Sequence, residues 1–131
     1  MFAVANKLWG LEFVERPDIA TYHPDVKAFL VKDHDGSELA VLMLDYFPRA
    51  SKRGGAWMSS FRKQYYQDGE RVLPLIFNVG NFTKPTAEQP ALLSVDEVGT
   101  MYHEFGHALG LPDYYDYDDD YYYDDDDDDD D

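Results

Sequence analysis

The sequence predicts an α+β fold, a small and mainly antiparallel sheet packed against one motif-bearing helix. Three observations carry that expectation. Short apolar runs, several with a two-residue period, fill the first 82 positions and are broken by Gly, Pro and Asp. A single segment near residues 94–110 switches to helical spacing and has a cap at each end. The strands precede the helix rather than alternating with helices, and no internal repeat is visible.

The elements follow in order. Residues 8–14 are rich in apolar and aromatic side chains and read as a strand closed by Pro17. Residues 26–32 and 38–47 are two further strands, joined by the turn Asp33-His34-Asp35-Gly36. In the second of them Ala40, Leu42 and Leu44 alternate with Val41, Met43 and Asp45. Nearly both faces are apolar, so this strand is expected at the centre of the sheet. Residues 48–55 form a loop, basic at Arg49, Lys52 and Arg53. Residues 56–61 are a short extended piece, and residues 62–70 are polar and read as irregular or weakly helical. Residues 74–82 are a fourth strand candidate, and residues 83–90, with two prolines, connect it to the helix.

The helix is announced by independent signals. Ser94 and Glu97 have the spacing of a capping box. Val98, Met101, Tyr102, Phe105, Ala108 and Leu109 recur on one side at helical spacing. Gly110 supplies the stop.

The 131 residues suit one small domain. The net charge of −16 is unevenly spread. Residues 113–131 contain thirteen Asp and six Tyr and nothing else, which leaves a net of −3 over residues 1–112. The chain therefore divides into a body, 1–112, and an Asp/Tyr-rich tail, 113–131, expected to be disordered because like charges repel and nothing apolar is available to bury. No basic stripe exists to neutralise phosphates, which argues against nucleic acid as a partner. No apolar run approaches the length of a membrane span, and the first fifteen residues do not read as a signal peptide. The chain has no cysteine, so disulfides and thiolate metal ligands are excluded.

Within the helix, residues 103–107 read His-Glu-Phe-Gly-His. Two imidazoles four residues apart stack on one helix face, one turn from each other. That spacing lets both reach one Zn²⁺ at roughly 2.0–2.1 Å. Glu104, between them, lies off the ligand line, where it can serve as base toward water activated by the metal. The pattern points to zinc-assisted hydrolysis, with one Zn²⁺ per chain held by His103 and His107 and with Glu104 catalytic. A structural pair of helical histidines flanking a salt-bridging Glu is the bland alternative.

From His103 the sequence continues as H-E-x-x-H-x-x-G-x-x-D, with Gly110 and Asp113. It resembles the extended motif of metzincin-like peptidases in the variant with Asp as third ligand. A left-handed Gly would end the helix and return Asp113 beneath the histidines. Asp113 as simply the first residue of the acidic tail is the alternative of equal standing. Tyr114, Tyr115 and Tyr117 are candidate oxyanion donors. Lys52 and Arg53 are candidates to hold a substrate carboxylate, with a charged hairpin loop as the other reading. His23 and His34 read as loop and turn residues.

Several separated segments, in order, resemble the thimet-oligopeptidase or peptidyl-dipeptidase family of zinc peptidases. They are residues 8–13 (Leu-Trp-Gly-Leu-Glu-Phe), 22–26 (Tyr-His-Pro-Asp-Val), 45–47 (Asp-Tyr-Phe), 52–58 (Lys-Arg-Gly-Gly-Ala-Trp-Met), 81–85 (Asn-Phe-Thr-Lys-Pro), 90–93 (Pro-Ala-Leu-Leu) and 103–109. The resemblance implies a cytoplasmic zinc metallopeptidase that hydrolyses peptide bonds in short peptides, with a zincin-like catalytic core. It also implies that this chain is the sheet and active-site helix of a longer, mostly helical protein. The family's third ligand, a Glu on a later helix, and its downstream oxyanion donors have no match after residue 109. A zinc-binding but catalytically inactive fragment, or a designed domain copying family segments, is therefore the alternative. Self-association through apolar surface shaped for a larger enclosure is a further expectation.

Overall fold

The structure is a computed structural model that describes residues 1–110. Its elements are helix α1 (Phe2–Trp9), strands β1 (Glu12–Glu15), β2 (Lys27–Lys32), β3 (Glu38–Asp45), β4 (Trp57–Arg62), β5 (Tyr65–Gln67), β6 (Glu70–Val72) and β7 (Leu75–Val79), and helix α2 (Val95–Ala108). The α+β class holds. Five strands form one sheet in the order β1-β2-β3-β7-β4, and β5 pairs with β6 alone.

The sheet is mixed rather than simply antiparallel. β1–β2, β2–β3 and β4–β7 are antiparallel, but β3–β7 is parallel. After β3 the chain skips one strand position, lays down β4 at the edge, and returns to fill the gap with β7. No local pattern announces that skip, because it depends on which strands meet and not on what each strand is.

β3 lies at the centre, as its two apolar faces require. On one face Phe29, Val31, Leu42 and Leu44 pack with Ala5 of α1 and Phe105 of α2. On the other, Ala28 and Met43 pack with Val26, Ile19, Leu75 and Phe77. Both helices therefore cover one face only.

Two local readings need correction. Residues 8–14 are not one strand. Gly10 takes a left-handed φ of 73°, and its N–H closes α1 on the Asn6 carbonyl, so the aromatic run divides into a helix end and β1. The density of Trp9, Leu11 and Phe13 is real, but it serves two elements. Phe2 from α1 stacks on Phe13 of β1 at 4.1 Å and meets Phe29 edge-on at 5.0 Å. Residues 62–70 are not irregular either. Asp68 and Gly69 both have positive φ, 53° and 83°, which makes the two-residue hairpin turn joining β5 to β6. An Asp-Gly pair flanked by Tyr-rich and Val-containing runs is a strong hairpin signal, and the polar flanks obscure it.

α2 begins and ends as expected. The Ser94 N–H donates to Glu97 Oε2 at 2.8 Å and the Glu97 N–H to Ser94 Oγ at 3.2 Å. Gly110, with φ 76°, donates its N–H to the His107 carbonyl. Phe105, 3% exposed, is the residue that locks α2 to the sheet, with its ring 6.0 Å from Phe2 and 5.7 Å from Phe13. Burial of such a ring stabilises by about 1.5–3 kcal/mol.

Candidate metal centre

Phe105 sets the rotation of α2, and everything else on that helix follows at about 100° per residue. His103 and His107 then fall about 160° and 200° from Phe105, on the opposite side of the helix, where His103 is exposed and His107 half-buried. Their Nε2 atoms stand 3.1 Å apart and their rings are nearly perpendicular, at 88°. Two nitrogens bound to one tetrahedral zinc at about 2.0–2.1 Å stand about 3.3–3.4 Å apart. The imidazole pair therefore fits a shared metal with a shift of a few tenths of an ångström. Glu104 lies about 100° from Phe105, on the flank of the helix, and is half-buried.

Among the described residues, no group of three or more His, Asp or Glu side chains gathers to hold a metal. Asp113, the candidate third ligand, lies outside the described residues, as do Tyr114, Tyr115 and Tyr117. His23 and His34 are occupied in their own loops. His23 Nδ1 accepts from the Asp25 N–H at 3.2 Å, and His34 Nδ1 lies 2.7 Å from Asp33 Oδ1.

Two polar groups inside the fold escape a reading by motif. Asn78 of β7 is fully buried, and its Nδ2 donates to the Glu104 carbonyl at 2.7 Å. Asp45, at the end of β3, is 1% exposed. Arg49 grips it with two hydrogen bonds of 2.8 Å, and the Tyr22 hydroxyl donates to it at 2.8 Å. Lys52 Nζ donates to Asp45 Oδ1 at 3.1 Å and to the carbonyls of Asp45, Phe47 and Gly80. Lys52 is thus an internal tie between the ends of β3 and β7, not an exposed loop charge. The sequence carries a faint signal for both groups, since each is a polar residue interrupting an apolar strand.

The tie controls where the chain leaves β7 for α2. The Gly80 and Phe82 N–H groups bond to the Asp45 and Tyr46 carbonyls, each at 2.8 Å. Asn81 Nδ2 donates to the carbonyls of Arg53 and Gly55.

Burial alone would raise the Asp45 carboxyl, but hydrogen bonds from Arg49, Tyr22 and Lys52 outweigh it and lower it from 3.8 to about 2. A depressed carboxylate contributes stability that is complete above its unfolded value and is lost as pH falls through its folded one. Urea unfolding should therefore show about 2 kcal/mol lost between pH 5 and pH 2 from this group. An Asp45→Asn variant should lack that component, and an identical pH slope in both proteins would refute it.

An α+β module presenting an H-E-x-x-H helix on a mixed sheet is the class of protein this fold and site define. The sequence profile described as Peptidase family M3 matches residues 1–123. The chain belongs to that family, the family of the thimet oligopeptidases and peptidyl-dipeptidases. It is 50% identical over 109 residues to a dipeptidyl carboxypeptidase of Escherichia coli, an alignment that covers 83% of this chain and 16% of the relative. Identity to an oligopeptidase A of Escherichia coli is 38% over 110 residues, with the same two shares. A probable cytosolic oligopeptidase A of Arabidopsis thaliana is 38% identical over 115 residues, covering 83% of this chain and 16% of the relative. The chain thus spans about one sixth of the length of these relatives. Among the described residues, no helix is long and apolar enough to cross a membrane.

Proposed function

We propose that this chain carries the metal-binding and general-base part of a zinc-dependent peptidase that hydrolyses peptide bonds in short peptides, of the oligopeptidase or dipeptidyl-carboxypeptidase type. The observation that supports this best is the pair of Nε2 atoms 3.1 Å apart on a capped helix with Glu104 on its flank. His103 and His107 would hold one Zn²⁺, with a third ligand from outside residues 1–110. Asp113 is the candidate for that ligand within this sequence.

The bound metal would act as a Lewis acid toward the peptide carbonyl and lower the pKa of water to about 7. Glu104 takes the proton of the attacking water and returns it to the leaving amine. A substrate in extended form would pair along β4, the edge strand of the sheet and one of the two strands that α2 lies against. The body is read as the sheet-and-helix part of a zincin-like core, acting in the cytoplasm. Leu8 and Trp9 on α1, and separately Phe61 on β4, are exposed apolar side chains through which copies would self-associate.

A second reading has its own observation. The chain spans about one sixth of the length of its relatives, and a part of a peptidase can bind metal without turnover. Zinc titration followed by assay of a quenched peptide library separates the two. Both readings expect one zinc per chain. Both also expect His107→Ala to weaken binding by about 100-fold or more, since one ligand's share of a site worth roughly 10–16 kcal/mol is about 3 kcal/mol. Turnover of any peptide supports the peptidase, and its absence at full metal loading supports the silent module. Failure to bind one zinc per chain defeats both.

A further inference from the structure

Asn78 is an expensive residue at its position. It lies between Leu44 of β3 and Met58 of β4 in the register of the sheet, and it is 0% exposed. Its neighbours in β7 are apolar, and its Oδ1 is buried with no hydrogen-bond partner among the described residues. An unsatisfied buried amide oxygen costs free energy that a Leu of the same shape would not. Among the described residues, the one bond this side chain makes is Nδ2 to the Glu104 carbonyl, at 2.7 Å. That carbonyl lies inside α2, where the helix itself uses one of its two lone pairs.

We propose that Asn78 is the positioning residue of the site: its amide, anchored in β7, clamps the backbone of Glu104 and so sets the rotation and height of the turn that carries His103, Glu104 and His107. The inference rests on the peptidase reading for its purpose, though not for its geometry. Phe105 fixes which side of α2 meets the core, but non-directional apolar packing still tolerates small slides and rotations about that setting. A directional bond at the adjacent residue does not. Anchored at two consecutive residues, one by packing and one by a hydrogen bond, the turn keeps one orientation relative to the edge strand β4. A displacement of about 1 Å in such a turn is enough to degrade metal geometry and catalysis.

The test uses the full chain and Co²⁺ as the probe, with amide exchange as a metal-independent measure. Asn78→Leu is isosteric and lacks the donor. It should unfold cooperatively at or near the parent temperature, exchange the amides of residues 104–108 about 3- to 10-fold faster, and bind Co²⁺ about 3- to 10-fold more weakly, with an altered d–d band. A purely structural residue would move the melting temperature and leave the band of the bound metal unchanged. Should Asn78→Leu fail to fold, Asn78→Val takes its place, since it suits a strand, is smaller and offers no donor. Exchange rates and Co²⁺ spectrum equal to those of the parent overturn the positioning role. Faster exchange in a protein whose parent binds no Co²⁺ supports the clamp and overturns the metal reading instead.

Discussion

Replacing Glu104 with Gln should cut hydrolysis of a quenched peptide by the metal-loaded protein by about 10²–10⁴-fold and leave zinc affinity within a few-fold of the parent. The two halves of that result follow from where α2 puts its side chains. His103 and His107 share the face opposite Phe105, whereas Glu104 lies well round the helix from that pair, so it is not one of the paired ligands. Gln has the shape of Glu and keeps the backbone carbonyl that Asn78 holds. It offers no basic oxygen, so water loses its proton acceptor while the metal ligands stay where they were. Isothermal titration with Zn²⁺ and a fluorogenic peptide assay measure the halves separately. Undiminished turnover would remove Glu104 from the role of base. A collapse of zinc affinity would place it among the ligands.

Asp45→Ala is expected to destabilise the fold by about 3–5 kcal/mol, a large part of what a domain of this size possesses. Lys52, with 4% of its side chain exposed, and Arg49 would both lose the carboxylate they surround. An uncompensated buried ammonium costs far more than the pair of charges contributes. The loss would spread beyond the loop, because Lys52 ties the end of β3 to Gly80 at the start of the connector to α2. Denaturant unfolding of both proteins at pH 7 measures the difference, and a loss below about 1 kcal/mol would show that the tie is dispensable. Lys52→Met is the complementary change, since it keeps the volume and leaves Asp45 with Arg49 and Tyr22.

Much of the candidate site was legible from residues alone. The capping box at Ser94 and Glu97, the apolar stripe through Phe105 and the stop at Gly110 are local features, and each appears where the sequence puts it. Helical periodicity then brings His103 and His107 together without help from the rest of the chain. The central place of β3 was equally readable, because a strand apolar on both faces has to be covered on both. The split of residues 8–14 into α1 and β1 was harder, since one residue, Gly10, decides it through its left-handed φ. The Asp68-Gly69 turn was readable in principle, and its polar flanks hid it.

By itself, then, the sequence determined the α+β class, the motif helix and the family, because each rests on short-range pattern or on residue identity in order. Only the tertiary structure decided that β7 enters between β3 and β4 in parallel, that Asp45 and Lys52 form a buried tie, and that Asn78 meets the Glu104 carbonyl 26 residues away. Those outcomes depend on which distant surfaces exclude water together. No periodicity or spacing records such a pairing until the sheet has closed and the helix has settled on it.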